Sequence, residues 1–201
     1  KSCAHEGILR PRGAYGFWRA FREGEALVLL DPEDEGREVA RFDFPRQKGK
    51  QHLCITDFFR ADKDDLDTVA LQAVTIGQEA SDVAREWFGA DRYQDYLHLH
   101  GLSVEAAEGV AEFVHSQIRS DWGISGEDAR DMQDLLKQDY RGARFSFGYP
   151  ACPNLESQEI ILDLLGTERI DIHMGDESQL WPEQSTSAIV CHHPQARYFT
   201  L

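Results

Sequence analysis

The sequence changes period once, and that single change limits what the chain can fold into. Before Gln78 its apolar residues come in short β-rich runs: Gly13–Ala20 (GAYGFWRA), Ala26–Leu30 (ALVLL), Val39–Phe44 (VARFDF), Leu53–Phe58 and Thr68–Gly77 (TVALQAVTIG). The cluster DPEDEG at 31–36 reads as a hairpin turn, and ADKDDLD at 61–67 as an exposed loop. From Gln78 to about Lys137 the spacing is helical, with Ala106, Val110, Phe113, Val114 and Ile118 on one apolar face. Trp122-Gly123 ends that helix, and Gly126–Lys137 reads as a shorter one. A helix at Ser157–Leu165, a short strand near Ile170–His173 and β-like runs at Thr186–Cys191 and Arg197–Thr200 complete the chain. Strands early, helices in the middle and strands again at the end do not alternate as βαβ units do, so the class is α+β with a largely antiparallel sheet.

The 201 residues are enough for one domain, residues 1–201, with a core of its own. With 21 basic against 36 acidic residues the net charge is −15, which repels a phosphate backbone and argues against nucleic acid as a partner. The longest apolar runs are too short to cross a bilayer. Cys3, Cys54, Cys152 and Cys191 are scattered with no CxxC pair, as expected of reduced thiols in a cytoplasmic protein.

One ten-residue stretch stands apart: RFSFGYPACP at 144–153. It is too punctuated for a helix, because Pro150 and Pro153 remove amide donors and fix φ. Arg144 can grip a carboxylate through two parallel hydrogen bonds, Gly148 admits close approach to the backbone, and Tyr149 offers a flat face with a polar tip. Residue chemistry alone leaves two readings open, a tight connection whose aromatics plug the core and a loop that holds a small molecule. Glu105, Glu108, Glu112 and His115 share one helix side, which suits either a solvated face or an amino group. His192 and His193 are expected to point to opposite faces of a strand and so not to share a metal ion, and no metal site is expected. GxGxxG, GxxxxGK[ST] and GxSxG are all absent.

The same stretch, with Asp139-Tyr140-Arg141-Gly142 before it, resembles the RxxxGY segment in the C-terminal reactivation domain of cobalamin-dependent methionine synthase. The resemblance runs along the chain in order: PRGAYGFWRA at 11–20, LCITDFF at 53–59, VALQAVTIG at 69–77, AEGVAEFVHSQIRSDWG at 107–123 and LWPEQSTSAIVCHHPQARYF at 180–199. It implies a curved, largely antiparallel sheet with flanking helices, and an S-adenosylmethionine site unlike the Rossmann methyltransferases. Matched residue by residue, Arg144 is the implied polar anchor, and the backbone around Ser146, Gly148 and Tyr149 holds the ligand, with Tyr149 also facing cobalamin. Glu108 matches an acidic residue lining the site, and Tyr198 and Phe199 an aromatic pair near the nucleoside.

An aspartate from an upstream helical segment completes the site in the family, and the chain is expected to enter the domain after that point. The implied partners are a cobalamin-binding domain of the same or a partner chain and flavodoxin or an equivalent reductase. The implied role is reductive methylation of cob(II)alamin to methylcobalamin, in support of methyl transfer from 5-methyltetrahydrofolate to homocysteine. Residues 1–201 alone are not expected to turn over homocysteine. The alternative is a docking module of the same fold that meets a cobalamin domain without holding S-adenosylmethionine.

Overall fold

A computed structural model describes residues 7–49, 51–135 and 137–200. Six strands, β1 (Arg12–Glu23), β2 (Ala26–Leu30), β3 (Glu38–Asp43), β4 (Asp67–Thr75), β5 (Ala143–Ser146) and β8 (Ser185–Cys191), form one sheet in the order β3-β2-β1-β4-β8-β5. The pairs β1/β2, β2/β3 and β5/β8 are antiparallel. The strands β6 (His173–Met174) and β7 (Leu180–Trp181) make a separate two-stranded ribbon. Helices α1 (Gln78–Gly89) and α2 (Tyr93–Asp121) follow β4, and α3 (Met132–Leu135) and α4 (Ser157–Leu165) flank β5 in sequence. The α+β reading therefore holds.

The DPEDEG turn forms because Asp31 caps it: its Oδ1 accepts the amides of Glu33 and Asp34 at 2.7 and 3.2 Å, an Asx-type arrangement. Where expectation and structure differ, short polar side chains are the usual cause. Leu53–Phe58 is not a strand; Ile55–Phe58 is a 3-10 turn. Asp57 reaches back to the Cys54 amide at 2.9 Å and is itself held by Arg46, so local capping overrides β propensity. Gly126–Lys137 is not one helix: a 3-10 turn at Ser125–Glu127 gives way to extended backbone at Asp128, whose carboxylate is drawn to Arg119, and among the described residues α-helix resumes only in the four residues of α3. Arg197–Thr200 has no strand partner, and Phe199 packs inward instead.

Two compact units divide the chain. The first comprises residues 1–15, 72–114 and 158–187, of which 7–15 are described at the N-terminal end. Its core packs Ile8, Ile76, Ala80, Ala84, Leu99 and Ala107. On α2 the buried row is Ala107, Ala111 and Val114, while Phe113 is 63% exposed. The second unit comprises 16–71, 115–157 and 188–201. Aromatic rings dominate it: Phe58 lies against Phe145 at 6.1 Å and against Phe199 at 6.4 Å, and Phe147 against Phe42 at 6.1 Å.

Candidate functional site

The β5 strand positions the distinctive loop. Its residues alternate, with Ala143 and Phe145 buried and Arg144 and Ser146 half-buried on the other face, as a two-residue period demands. Phe145, and Phe147 just beyond it, are the rings that plug the core, while the other face of the strand presents polar groups. β5 also ends the strand order, which among the described residues leaves one edge of its backbone without a neighbouring strand. Beyond Phe147 the chain turns sharply. The Cys152 amide donates to the Tyr149 carbonyl and the Gly148 amide to the Cys152 carbonyl, both at 2.9 Å, with Pro150 supplying the fixed φ of the turn. Gly148 has φ +86°, and a Cβ there would lie 3.0 Å from Leu155 Cδ2, so glycine is required by the turn itself.

The turn lifts Tyr149 into solvent, where it is 52% exposed and meets Tyr198, 40% exposed, edge to face at 6.4 Å. Tyr198 and Phe199 thus part company. Tyr198 joins Tyr149 at the surface, while Phe199 is 7% exposed and packs on Phe58 and Phe145. Glu108 lies exposed on α2, in the first unit, whereas Arg144, Ser146, Gly148, Tyr149, Tyr198 and Phe199 belong to the second.

Beside Arg144 the sequence reading missed a buried polar platform. His115 does not share the solvated face of Glu105 and Glu108; it is fully buried, with its ring at 5.0 Å from that of Tyr140. Arg119, 1% exposed, lies with its guanidinium 3.8 Å above the Tyr140 ring and grips Asp128 with two nitrogens. The available signal was Tyr140 within DYRG, next to the loop, but nothing in the spacing joins it to a helix some twenty residues earlier. Burial first, and then the nearby guanidiniums of Arg119 and Arg144, push His115 down from 6.5 to about 2. A neutral imidazole therefore sits among cations.

Below pH 6.5 the unfolded chain takes up a proton that folded His115 refuses until about pH 2, so its effect is to lower stability as pH falls through that window. At about 1.4 kcal/mol per pH unit, the loss from this group between pH 6.5 and 5 is about 2 kcal/mol. Urea unfolding at both pH values should show that loss shrinking in His115→Gln, and an unchanged pH slope in the variant would contradict it.

Cys54, Cys152 and Cys191 are free thiols and buried, and burial pushes Cys191 up to about 12 and Cys152 upward as well, so neither is a ready nucleophile. Cys3 lies outside the described residues. Among the described residues no group of three or more His, Cys, Asp or Glu is placed to hold a metal ion, and no helix is long and apolar enough to cross a membrane.

The family model for the activation domain of vitamin B12 dependent methionine synthase matches residues 1–201. The chain belongs to this family. It is 43% identical over 209 residues to the methionine synthase of Mycobacterium tuberculosis (strain ATCC 25618 / H37Rv), a match covering 98% of this chain and 18% of that protein. It is 41% identical over 199 residues to the methionine synthase of Mycobacterium leprae (strain TN), covering 93% of this chain and 16% of that protein. The activation-domain chain thus spans less than a fifth of either relative. Among solved structures it is similar to the MetH reactivation domain bound to AdoHcy, with a TM-score of 0.91 and 25% identity over 99% of this chain and 63% of that one.

Proposed function

We propose that residues 1–201 act as a reactivation domain that binds S-adenosylmethionine along β5 and its Gly-Tyr turn. The observation that carries this is the placement of Arg144 and Ser146 on the polar face of an edge strand that runs straight into the exposed Tyr149–Tyr198 pair. The likeness to a relative solved with AdoHcy supports it.

The donor set fits the ligand. A half-buried guanidinium suits its carboxylate, since partial burial strengthens a charge-assisted hydrogen bond. The open edge of β5 offers backbone groups near Ser146, and the Gly148 position leaves the chain bare of a side chain beside them. Tyr149 and Tyr198 present ring faces to a nucleoside or a sulfonium. Phe199 packs on Phe58 and Phe145 in the aromatic core, and Glu108 is proposed for the ligand's amino group on the resemblance alone. Bound there, S-adenosylmethionine would supply the methyl group and leave as S-adenosylhomocysteine; together with one electron from flavodoxin or an equivalent reductase, that methyl group would return cob(II)alamin on a cobalamin-binding domain to methylcobalamin. The chain's own task is to grip, orient and present, with Tyr149 turned toward the cobalamin partner. In a full-length protein this maintains methyl transfer to homocysteine.

Calorimetric titration of the chain with S-adenosylmethionine tests the site. Arg144→Ala is expected to weaken binding ten- to a hundredfold, the net loss of one charge-assisted hydrogen bond at about 1.5–3 kcal/mol. Its thermal midpoint should stay close to that of the parent. Equal affinity in the variant would remove Arg144 from the site. Absence of heat in both, with retained capture of a cobalamin-binding domain, would favour a docking module instead.

A further inference from the structure

His192 and His193 have no part in the loop site, and the structure gives them a shared one. β8 stops at Cys191, so strand alternation does not separate them, and both line a cavity of about 300 Å3 in the second unit. Phe58, Phe59 and Pro194 form its apolar wall, and Arg60 and Arg141 reach it from two different segments. It lies at the start of β5, where Arg141 stands, while Tyr149 follows the strand's other end.

The polar groups are set in advance. His192 Nε2 lies 2.7 Å from Asp67 Oδ1, and the edge of Trp122 meets its ring at 5.2 Å. Arg141 Nε donates to the His192 carbonyl at 2.8 Å, and one of its terminal nitrogens to Glu127 at 3.0 Å. Two carboxylates also face the cavity, yet both have their acceptor oxygens in use. Asp67 accepts from His192 and from the amides of Thr68 and Arg60. Asp57 accepts from Arg22, from two nitrogens of Arg46 and from the Cys54 amide. The donors are in surplus: Arg60 has five N–H groups and gives one terminal nitrogen to Asp65, and His193 uses Nδ1 to accept from Gln195, which leaves Nε2 for another partner.

We infer that this cavity binds a small oxoanion, a phosphate or carboxylate head held by Arg60, Arg141 and His193 against the wall of Phe58 and Pro194. Its volume is at the low end for ligand pockets, which suits a compact anion and not a full nucleotide cofactor. The guanidiniums match the two-oxygen edge of either head group. The inference is independent of the S-adenosylmethionine site.

The test is a side-chain NMR titration of the full 201-residue chain at constant ionic strength, with inorganic phosphate and succinate as separate probes and sodium chloride as control. Saturable shifts of the His193 ring and Arg141 Nε signals are expected from at least one probe, with the lower half-saturation point showing which head group is preferred. Arg60→Gln, at an exposed position, should raise the half-saturation concentration at least fivefold, as should His193→Gln. Linear, unsaturable shifts, equal effects from chloride, or unchanged half-saturation in both variants would overturn the site.

Discussion

Asp128→Ala is expected to lower the unfolding free energy by about 3–5 kcal/mol, the range for removing one partner of a buried ion pair. The reason lies in what remains. Arg119 is 1% exposed and holds Asp128 through Nε and Nη2 at 2.9 Å each, so truncating the carboxylate takes these hydrogen bonds from a guanidinium that water cannot reach. Stacking of Arg119 on Tyr140 offsets only a part of that desolvation. Arg119→Met, which removes the charge and keeps most of the volume, should cost less than Asp128→Ala, because it leaves behind a partly solvated aspartate. Urea unfolding measures both. A loss below about 1 kcal/mol for Asp128→Ala would show that the pair contributes little and that the turn after α2 is held by other contacts.

Gly142→Ala should be nearly as damaging, at about 3 kcal/mol or more. The position has φ +91°, where an L-residue costs about 1–3 kcal/mol in strain. A Cβ would also lie 2.4 Å from the Cys191 carbonyl oxygen, an atom of the paired β8 backbone that cannot rotate away. Relief requires β5 to move off β8, and overpacking of that kind costs about 1–3 kcal/mol more. Gly126→Ala is the control: a Cβ there meets nothing within 4 Å, and the change should stay within about 0.5 kcal/mol. Because Gly142 lies two residues before Arg144, the same substitution should weaken S-adenosylmethionine binding as well. Full stability in Gly142→Ala would mean that β5 is not locked to β8 at this point.

These two sites explain why the loop was only half legible in advance. The crowding of Arg, Gly, Tyr and Pro marks a shaped segment, but the strand that opens it at Ala143–Ser146, whose alternation separates Phe145 from Arg144, reads as loop in the sequence. What stood behind Arg144 was not legible, because His115, Arg119, Asp128 and Tyr140 come from three segments and each has an ordinary exposed role elsewhere. His115 looked like the next member of an acidic helix face. A helix face is a local property, whereas burial depends on what another segment places over it.

The same limit governs the apolar row of α2, where spacing put Phe113 on the inward face with Ala106, Val110, Val114 and Ile118. Phe113 is exposed instead, and Ala107, Ala111 and Val114 are buried. By itself the sequence determined the class of fold, the hairpin at DPEDEG, the boundaries of β2 and α4 and the family, since these rest on period, turn chemistry and collinear motifs along the chain. The tertiary structure decided which polar groups are buried together, turned 53–58 and 126–137 away from their local preferences, and put His192 and His193 in one cavity. The reason is physical: propensity acts over a few residues and about 1 kcal/mol. A carboxylate captured by a distant arginine acts over any separation in sequence and can outweigh it.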